Sequence, residues 1–342
     1  MDATRRRIIG MNVPMIDIEP LRRGVHDPDA IAAMARAGAE HGFFRVTGHG
    51  ITRPVIDRLY EESRRFFEQP LERKQLVAPP HPGYARGYKA IGFEALAYSS
   101  DATNSDRPQE AASGPTDLKE FYHFGPADWP HNDLYYRAGE GRYFFDNLWP
   151  ADQPQFAAAA DDYYRGMESL AGSVCQLAAL ALDLPAHYFA PMIDRHITAA
   201  RINYYPRQPN PPAPGQLRAG AHTDFDMFTI LSGEDVPGGL QVMARNGQWF
   251  DVHTDRYEMV CNIGDLMMRW TGDRWCSNRH RVLNPPRAVA AASSRISIGF
   301  FFHPNYDASI ESLPGQPVRY PPVLSGEFRD EKYRVTQAQA KG

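Results

Sequence analysis

Three side chains of the types that bind transition metals occur in order in the second half of the chain. His222 and Asp224 are separated by one residue, and His280 follows after several short apolar segments. Two imidazoles and one carboxylate can occupy one face of an octahedral iron(II) ion, which leaves three positions open for a chelating cosubstrate and dioxygen. The pattern therefore predicts a non-haem iron(II) site made of His222, Asp224 and His280.

The tripeptide His-Thr-Asp occurs twice, at residues 222–224 and at residues 253–255. The first copy follows a proline-rich turn and precedes an apolar run that begins at Met227. The second copy ends the strand-like residues 249–252 and leads into Arg256. Metal ligands need rigid placement, and the start of a strand provides it. We therefore predict that the first copy binds the metal and that the second is a polar surface turn.

Arg295 and Ser297 are close together in residues 295–302, which are otherwise apolar. Because side chains alternate between the two faces of a strand, their guanidinium and hydroxyl groups share one face. Arginine offers a planar fork of donors to a carboxylate, and the hydroxyl groups of Ser297 and Tyr205 add further donors. A dicarboxylate that chelates iron through its 2-oxoacid end needs such an anchor at its far end. These three residues are predicted to provide it.

The composition is that of a globular protein. The 342 residues are 43% apolar and 23% charged, with a net charge of −4 and a pI near 6.3. This balance gives no basic surface for nucleic acid or an anionic membrane, and no apolar run is long enough to span a bilayer. Cys175, Cys261 and Cys276 lack the spacing of a zinc site or disulfide framework. We expect a cytoplasmic protein that binds a small molecule, with its oligomeric state left open.

The first half of the chain combines helical and extended patterns. Ser, Gly and Pro are frequent from about residue 78 to 149, and the polar residues 99–116 are predicted to be a mobile loop that can act as a lid. The C-terminal segment is a second candidate lid. By periodicity and capping signals, the predicted elements are strands at 13–18 and 42–46 and helices at 28–41, 53–67 and 155–182.

From about residue 201 the pattern changes to short apolar segments separated by Gly, Pro and Asp turns. About eight antiparallel strands after a helical first half predict a mixed α+β fold. Its core is expected to be a double-stranded β-helix, or jelly roll, with flanking helices mostly from the N-terminal half. In such a barrel we expect His222 and Asp224 on one face of one strand and His280 on a distant strand that closes the other side. The predicted strands are 202–205, 227–231, 240–243, 249–252, 259–263, 266–270, 280–283 and 295–302.

Further motifs extend over most of the chain. They are VPMID at 13–17, HGFF at 41–44, HGI at 49–51, NYYP at 203–206, GGLQV at 238–242 and NIGD at 262–265. Together with the His-x-Asp, His and Arg-x-Ser residues, they resemble the isopenicillin N synthase-like group of iron(II)/2-oxoglutarate-dependent oxygenases. The resemblance implies a division into an N-terminal region of the non-haem dioxygenase type (1–125), a connecting segment with a support helix (126–194), the jelly-roll core (195–305) and a C-terminal extension (306–342).

The resemblance also implies cofactors and residue roles. It implies iron(II) held by the three ligands above and 2-oxoglutarate held by Tyr205, Arg295 and Ser297, with Asn203 beside the other carboxylate of the cosubstrate. Dioxygen would then convert 2-oxoglutarate to succinate and carbon dioxide while a substrate is hydroxylated. A second hydrogen abstraction would give desaturation or ring closure.

Phe301 is the candidate substrate residue. Alternation along residues 295–302 places it on the same face as Arg295 and Ser297. An aromatic ring there can pack against a flat or apolar substrate, and the resemblance places the organic substrate near this position. Ordinary core packing is the alternative interpretation.

The substrate itself is left open by the sequence. Residues 117–122 and the motif at 238–242 resemble microbial members of the family, which favours a tailoring step in secondary metabolism such as antibiotic biosynthesis. One alternative is an oxidative cyclase that needs iron and dioxygen but no 2-oxoglutarate, like isopenicillin N synthase. Another is a catalytically silent ligand-binding jelly roll, against which the intact metal pattern argues.

Overall fold

The computed structural model of the chain describes residues 13–96 and 115–340. Its strands are β1 (Met15–Asp17), β2 (Phe43–Thr47), β3 (Gly87–Lys89), β4 (Glu120–Phe124), β5 (Ala199–Tyr205), β6 (Ala219–His222), β7 (Phe228–Gly233), β8 (Leu240–Met243), β9 (Trp249–Asp251), β10 (Met259–Ile263), β11 (His280–Val282), β12 (Arg295–Phe302), β13 (Ser309–Ile310) and β14 (Val323–Leu324). Its helices are α1 (Glu19–Arg22), α2 (Pro28–Glu40), α3 (Arg53–Phe67), α4 (Leu71–Gln75), α5 (Leu134–Gly139), α6 (Pro154–Ala181), α7 (Ala190–Ile193), α8 (Asp265–Trp270), α9 (Arg287–Ala290) and α10 (Ser325–Ala340).

Two sheets organise the molecule. The larger has the strand order β1-β2-β10-β7-β12-β5-β4-β3, and the smaller has the order β6-β11-β8-β9. Strands β1 and β2 are parallel, whereas the other neighbours in these two sheets are antiparallel. Strands from both halves of the chain therefore share the larger sheet, and the chain has the mixed helix-and-sheet class that the sequence predicts.

Strand β12 lies inside the larger sheet, between β5 and β7. One of its faces is apolar and belongs to the main hydrophobic core, with Ile296, Ile298, Phe300 and Phe302 buried there. Tyr164 of α6 contacts Phe300 edge-on, with ring centroids 5.1 Å apart. Burial of such side chains stabilises by roughly 1.5–3 kcal/mol each. The helices thus fix one face of β12, and the opposite face is available for a site.

The helices with strong capping and periodicity signals occur where the sequence predicts them. Helix α2 begins at Pro28, and the Asp27 carboxylate accepts a hydrogen bond from the backbone N–H of Asp29. Helix α3 spans the predicted 53–67, and α6 is displaced by one residue from the predicted 155–182. These predictions are confirmed. All three helices have a proline in the first turn and bury one face, and α2 also has a side-chain N-cap.

One predicted strand is wrong. Residues 266–270 belong to α8, in which Leu266, Met267 and Trp270 are buried. Leu and Met are good helix formers, and the buried residues at 266 and 270 have the one-turn spacing of a helix. A short apolar run does not separate a strand from a helix by periodicity alone.

Several elements were not predicted from the sequence. They are the strands β3, β4, β6, β13 and β14, the short helices α1, α4, α5, α7 and α9, and the C-terminal helix α10. The proposed loop 99–116 lies outside the described residues except for its last two positions. Within the described residues, the helices are too short or too polar to cross a membrane.

Candidate metal centre and its cavity

A cavity lies between the two sheets. Its walls include residues of β5, β7, β10 and β12 from the larger sheet and of β6, β8 and β11 from the smaller one. The structure brings all of the sequence-predicted site residues to this one cavity: His222, Asp224, His280, Asn203, Tyr205, Arg295, Ser297 and Phe301.

The three candidate metal ligands are neighbours. Asp224 Oδ1 lies 3.7 Å from His222 Nε2, and Asp224 Oδ2 lies 3.7 Å from His280 Nε2. One ligand atom from each residue can be chosen so that all lie within 4.8 Å of one another. Such a set can close around one ion from one side, as a facial arrangement requires.

Hydrogen bonds to the Nδ1 atoms of the two histidines and to Oδ2 of Asp224 orient these ligands. His222 Nδ1 donates to Gly220 O over 2.8 Å, and His280 Nδ1 donates to Asn278 O over 3.3 Å. Each donation leaves Nε2 with its lone pair directed into the cavity. Asp224 Oδ2 accepts hydrogen bonds from two further side chains, Thr229 Oγ1 (2.6 Å) and Asn262 Nδ2 (2.8 Å).

Two expectations about how these ligands are positioned are wrong. His222 is the last residue of β6, whereas Asp224 lies beyond the strand, where the chain crosses from the smaller sheet to β7 of the larger one. His280 is not on a distant strand, because β11 pairs directly with β6 and places His280 opposite His222. The loop allows Asp224 to be held by the larger sheet while both imidazoles stay on the smaller one.

The environment sets the protonation of the ligands. Burial, together with the neighbouring His280, lowers the pKa of His222 to about 3. Burial alone would raise the pKa of Asp224, but His280, His222 and the hydrogen bonds from Thr229 and Asn262 lower it. The result near neutral pH is a neutral His222 imidazole beside an ionised carboxylate, which are the forms that bind a divalent metal.

The candidate carboxylate anchor lies on the cavity face of β12. Arg295 is opposite Tyr205 and Ser297 is opposite Asn203 in the pairing with β5. Arg295 is 1% exposed, and among the described residues its Nη1 has no hydrogen-bond partner. A buried guanidinium with a free donor requires an acceptor. A ligand carboxylate in the cavity would supply one.

The remaining donors of Arg295 fix its position. Nε donates to Glu234 O and Nη2 donates to Thr254 Oγ1, both over 3.3 Å. A Cβ atom at Gly233 would lie 2.6 Å from Arg295 Nη2, so a glycine is needed for the guanidinium to fit there.

The second His-Thr-Asp copy has a different role. The His253 side chain is 52% exposed, and Asp255 accepts a hydrogen bond from the backbone N–H of Tyr257. Thr254, however, is buried and holds Arg295. The prediction of a plain surface turn is therefore incomplete, because the middle residue of this copy supports the carboxylate anchor.

The cavity also contains charged residues that were not predicted from the sequence. Glu94, Lys119 and Arg201 line it, and they come from three separate segments of the chain. The alternation of Arg201, Asn203 and Tyr205 along β5 was the available signal, since it places all three side chains on one face.

The C-terminal helix α10 contributes to the same region. Lys332 Nζ donates to Asp265 Oδ2 over 2.9 Å, and the Asp265 N–H donates to the backbone oxygen of Asp224. Tyr333 lines the cavity. Helix α10 is therefore linked through Asp265 to the loop that carries Asp224, the candidate metal ligand.

Two family models match the chain. That of the 2OG-Fe(II) oxygenase superfamily matches residues 197–304, which hold β5 to β12 and all three candidate metal ligands. The other, the N-terminal region of non-haem dioxygenase in morphine synthesis, matches residues 13–152.

Known proteins similar to the chain include enzymes of this type. A 2-oxoglutarate-Fe(II) type oxidoreductase of Emericella nidulans is 32% identical over 96% of this chain and 91% of its own length. The validamycin A dioxygenase of Streptomyces hygroscopicus subsp. limoneus is 30% identical over 88% and 80%. The crystal structure of a full-length Neurospora crassa protein in complex with alpha-KG and thymine is similar with a TM-score of 0.76, at 28% identity over 96% of both chains.

Two histidines and a carboxylate beside a buried arginine are the groups that an oxygenase using iron(II) and a 2-oxoacid requires. The chain belongs to the 2OG-Fe(II) oxygenase superfamily. The resemblance found in the sequence is thereby confirmed. The protein is a dioxygenase that uses iron(II), 2-oxoglutarate and dioxygen to oxidise a small organic molecule, and neither the 2-oxoglutarate-independent cyclase nor the silent binding protein is supported.

Proposed function

We propose that His222, Asp224 and His280 bind iron(II) and that Arg295, with Ser297, Tyr205 and Asn203, binds 2-oxoglutarate. The observation that carries the proposal is the placement of both groups on one cavity. A cluster of three metal-type ligands lies in the same space as a buried arginine with an unpartnered donor. A dicarboxylate that chelates the metal at one end can provide an acceptor for the Arg295 guanidinium at its other end.

When bound, the iron would supply the activation of dioxygen, with 2-oxoglutarate as the cosubstrate that is oxidised to succinate and carbon dioxide. The protein positions the reactants. Arg295 fixes the far carboxylate, and Thr254 and Glu234 keep its fork in one orientation. Gly220 and Asn278 fix the tautomers of the two histidines. Because the site is buried between two sheets, water is restricted and each electrostatic contact is strengthened.

We also propose that the two sheets form a double-stranded β-helix. The location of the cavity between them, and the match of a single family model to residues 197–304, support this arrangement. The same model supports the proposed jelly-roll core at 195–305, preceded by regions at 1–125 and 126–194 and followed by an extension at 306–342. In this division α10 belongs to the extension, although it reaches the cavity.

The substrate is proposed to be a small organic molecule of microbial secondary metabolism. Similarity to a Streptomyces validamycin A dioxygenase supports this setting. The similar Neurospora crassa protein was crystallised with thymine, which supports a small ring compound as the substrate. Nucleic acid and membranes are not expected as partners, since the net charge is −4 and the cavity lies between two sheets.

The test is succinate formation by the purified protein under air, with iron(II) and 2-oxoglutarate, in the presence of validamycin A, thymine or a mixed library of microbial metabolites. We expect succinate only when both iron and 2-oxoglutarate are present, and more of it with a true substrate. Full-rate substrate oxidation without 2-oxoglutarate would contradict the proposal and favour the cyclase.

Phe301 is proposed to contact the substrate, because it lines the cavity two positions beyond Gly299 on the face that carries Ser297. We expect Phe301→Ala to keep iron and 2-oxoglutarate bound but to lower the ratio of oxidised product to succinate, since a loosely held substrate misses the oxidant. Both products are measured in the same reaction.

Phe300→Ala is the matched control on the opposite face of β12. Phe300 is buried in the main core, so its removal is expected to destabilise the fold by about 3–5 kcal/mol. It should not uncouple the reaction in the protein that stays folded. Unchanged coupling in Phe301→Ala, with a loss of stability like that of Phe300→Ala, would assign Phe301 to core packing.

A further inference from the structure

A group of charged side chains forms one wall of the cavity; Lys119 and Asp117 are buried, and Glu94 and Arg201 are mostly buried. Lys119 Nζ lies 3.0 Å from Glu94 Oε2 and 3.2 Å from Asp117 Oδ2. Arg201 Nη1 donates to the same Glu94 oxygen over 2.9 Å, and Arg201 Nε donates to His123 Nε2. Glu94, Lys119 and Arg201 all line the cavity. Neither the metal site nor the 2-oxoglutarate site makes use of these residues.

Aromatic rings hold the Arg201 guanidinium in place. Its central carbon lies 4.3 Å from the centroid of the Phe121 ring and 5.5 Å from that of Phe301. Arg201 also lies opposite Gly299 in the pairing of β5 with β12, in line with Ser297 and Arg295. The proposed substrate residue and this arginine are therefore neighbours on one surface. A fixed guanidinium loses little entropy when it binds a ligand.

The charged wall is connected to the metal centre. Asp117 Oδ1 accepts a hydrogen bond from the backbone N–H of Gly220 over 3.0 Å. The carbonyl of Gly220 in turn accepts from His222 Nδ1. The backbone N–H of Asp117 also donates to Glu94 O, which fastens the segment that carries Glu94. These hydrogen bonds fix the charged wall relative to the strand that carries His222.

The charges of the wall compensate one another. The two cations, Lys119 and Arg201, are paired with the two carboxylates, Glu94 and Asp117. Lys89 is near, but its ammonium lies over the Phe93 ring, 4.2 Å from the centroid, and it does not line the cavity. A substrate carboxylate or ammonium bound here would add an uncompensated buried charge, which is costly. An uncharged group would not.

We propose that Arg201 and Glu94 recognise an uncharged substrate group that both accepts and donates hydrogen bonds, as an amide or lactam does. Arg201 donates to its carbonyl oxygen, Glu94 accepts from its N–H, and the Phe301 ring packs on its apolar part. Lys119 and Asp117 are positioning residues that hold the pair. This proposal rests on the proposed function, because it assumes that the substrate binds next to the metal and 2-oxoglutarate.

The experiment uses the full chain loaded with zinc(II) and 2-oxoglutarate, so that binding is measured without turnover. Calorimetric titrations compare thymine and 2-pyridone as lactams, proline as a zwitterion, benzoate as a carboxylate and glycerol as a hydroxyl compound. We expect a lactam to bind most tightly. The affinity should fall about tenfold or more in Arg201→Lys and in Glu94→Gln, as loss of a hydrogen bond to a charged group implies.

Arg201→Lys keeps the charge of the wall, so it remains informative if Glu94→Gln does not fold. Arg58→Gln, in an exposed ion pair with Asp162, is the control and should leave lactam binding unchanged. Tighter binding of benzoate, proline or glycerol, no lactam binding, or lactam binding unaffected by Arg201→Lys would overturn the proposal. Titration of 2-oxoglutarate into the wild type distinguishes failure of this proposal from failure of the proposed function. If 2-oxoglutarate binds, only the substrate class is wrong. If 2-oxoglutarate does not bind, the proposed function itself is contradicted.

Discussion

Replacing His222 with alanine is expected to abolish tight iron(II) binding and turnover while the protein stays folded. The imidazole is one of three proposed protein ligands, and its Nε2 lies 3.7 Å from Oδ1 of Asp224, the carboxylate ligand. Loss of a group that only orients a metal ligand already costs about 10–100-fold in metal affinity, so loss of a ligand should cost at least about 100-fold. Anaerobic iron(II) titration, with metal content measured after desalting, checks this.

The chain supplies its own control for this change. His253 belongs to the same tripeptide but has an exposed side chain, so His253→Ala should bind iron and turn over like the wild type. Thr254 is not suitable as a silent control because it holds Arg295. If His253→Ala lost iron and His222→Ala kept it, the metal site would have been assigned to the wrong copy.

Replacing Arg295 with lysine is expected to weaken 2-oxoglutarate binding by about 10- to 150-fold, with iron still bound. The change keeps the positive charge but removes the fork that can bind a carboxylate through two parallel hydrogen bonds. The loss of a hydrogen bond to a charged group is worth about 1.5–3 kcal/mol, which gives this range. The apparent affinity is measured from succinate formation and from direct titration.

Arg58→Lys serves as the control for this substitution, because Arg58 is half-exposed and pairs with Asp162 at the surface. It should leave the affinity for 2-oxoglutarate unchanged. Equal affinity in Arg295→Lys and the wild type would show that the far carboxylate is held elsewhere in the cavity.

The parts of the fold that could be predicted are those where local signals agree. Helix α3 was located from its amphipathic pattern, and the two faces of β12 follow from period-two alternation. Residues 266–270 were misassigned because their apolar run is too short to show a period. Strand β4, Glu120–Phe124, was missed because it is buried almost throughout and shows no alternation of polar and apolar residues.

The sequence predicted which residues form the site but not how they are arranged in space. The sequence placed His222 and Asp224 on one strand, whereas the chain passes from one sheet to the other between them. Local patterning carries no information on where a chain changes sheets. The wall of Glu94, Lys119 and Arg201 was missed for a related reason, since its members come together only through the pairing of β4 with β5 and the attachment of residue 94 to residue 117.

We propose that one iron ion binds between His222, Asp224 and His280, in reach of a 2-oxoglutarate held by Arg295. The most direct test is anomalous diffraction at the iron edge from anaerobic crystals grown with iron(II) and 2-oxoglutarate. We expect a single strong peak in contact with all three side chains, with the cosubstrate extending from it to Arg295. A peak at His253 and Asp255, or an iron-loaded crystal with no peak between the three ligands, would contradict it.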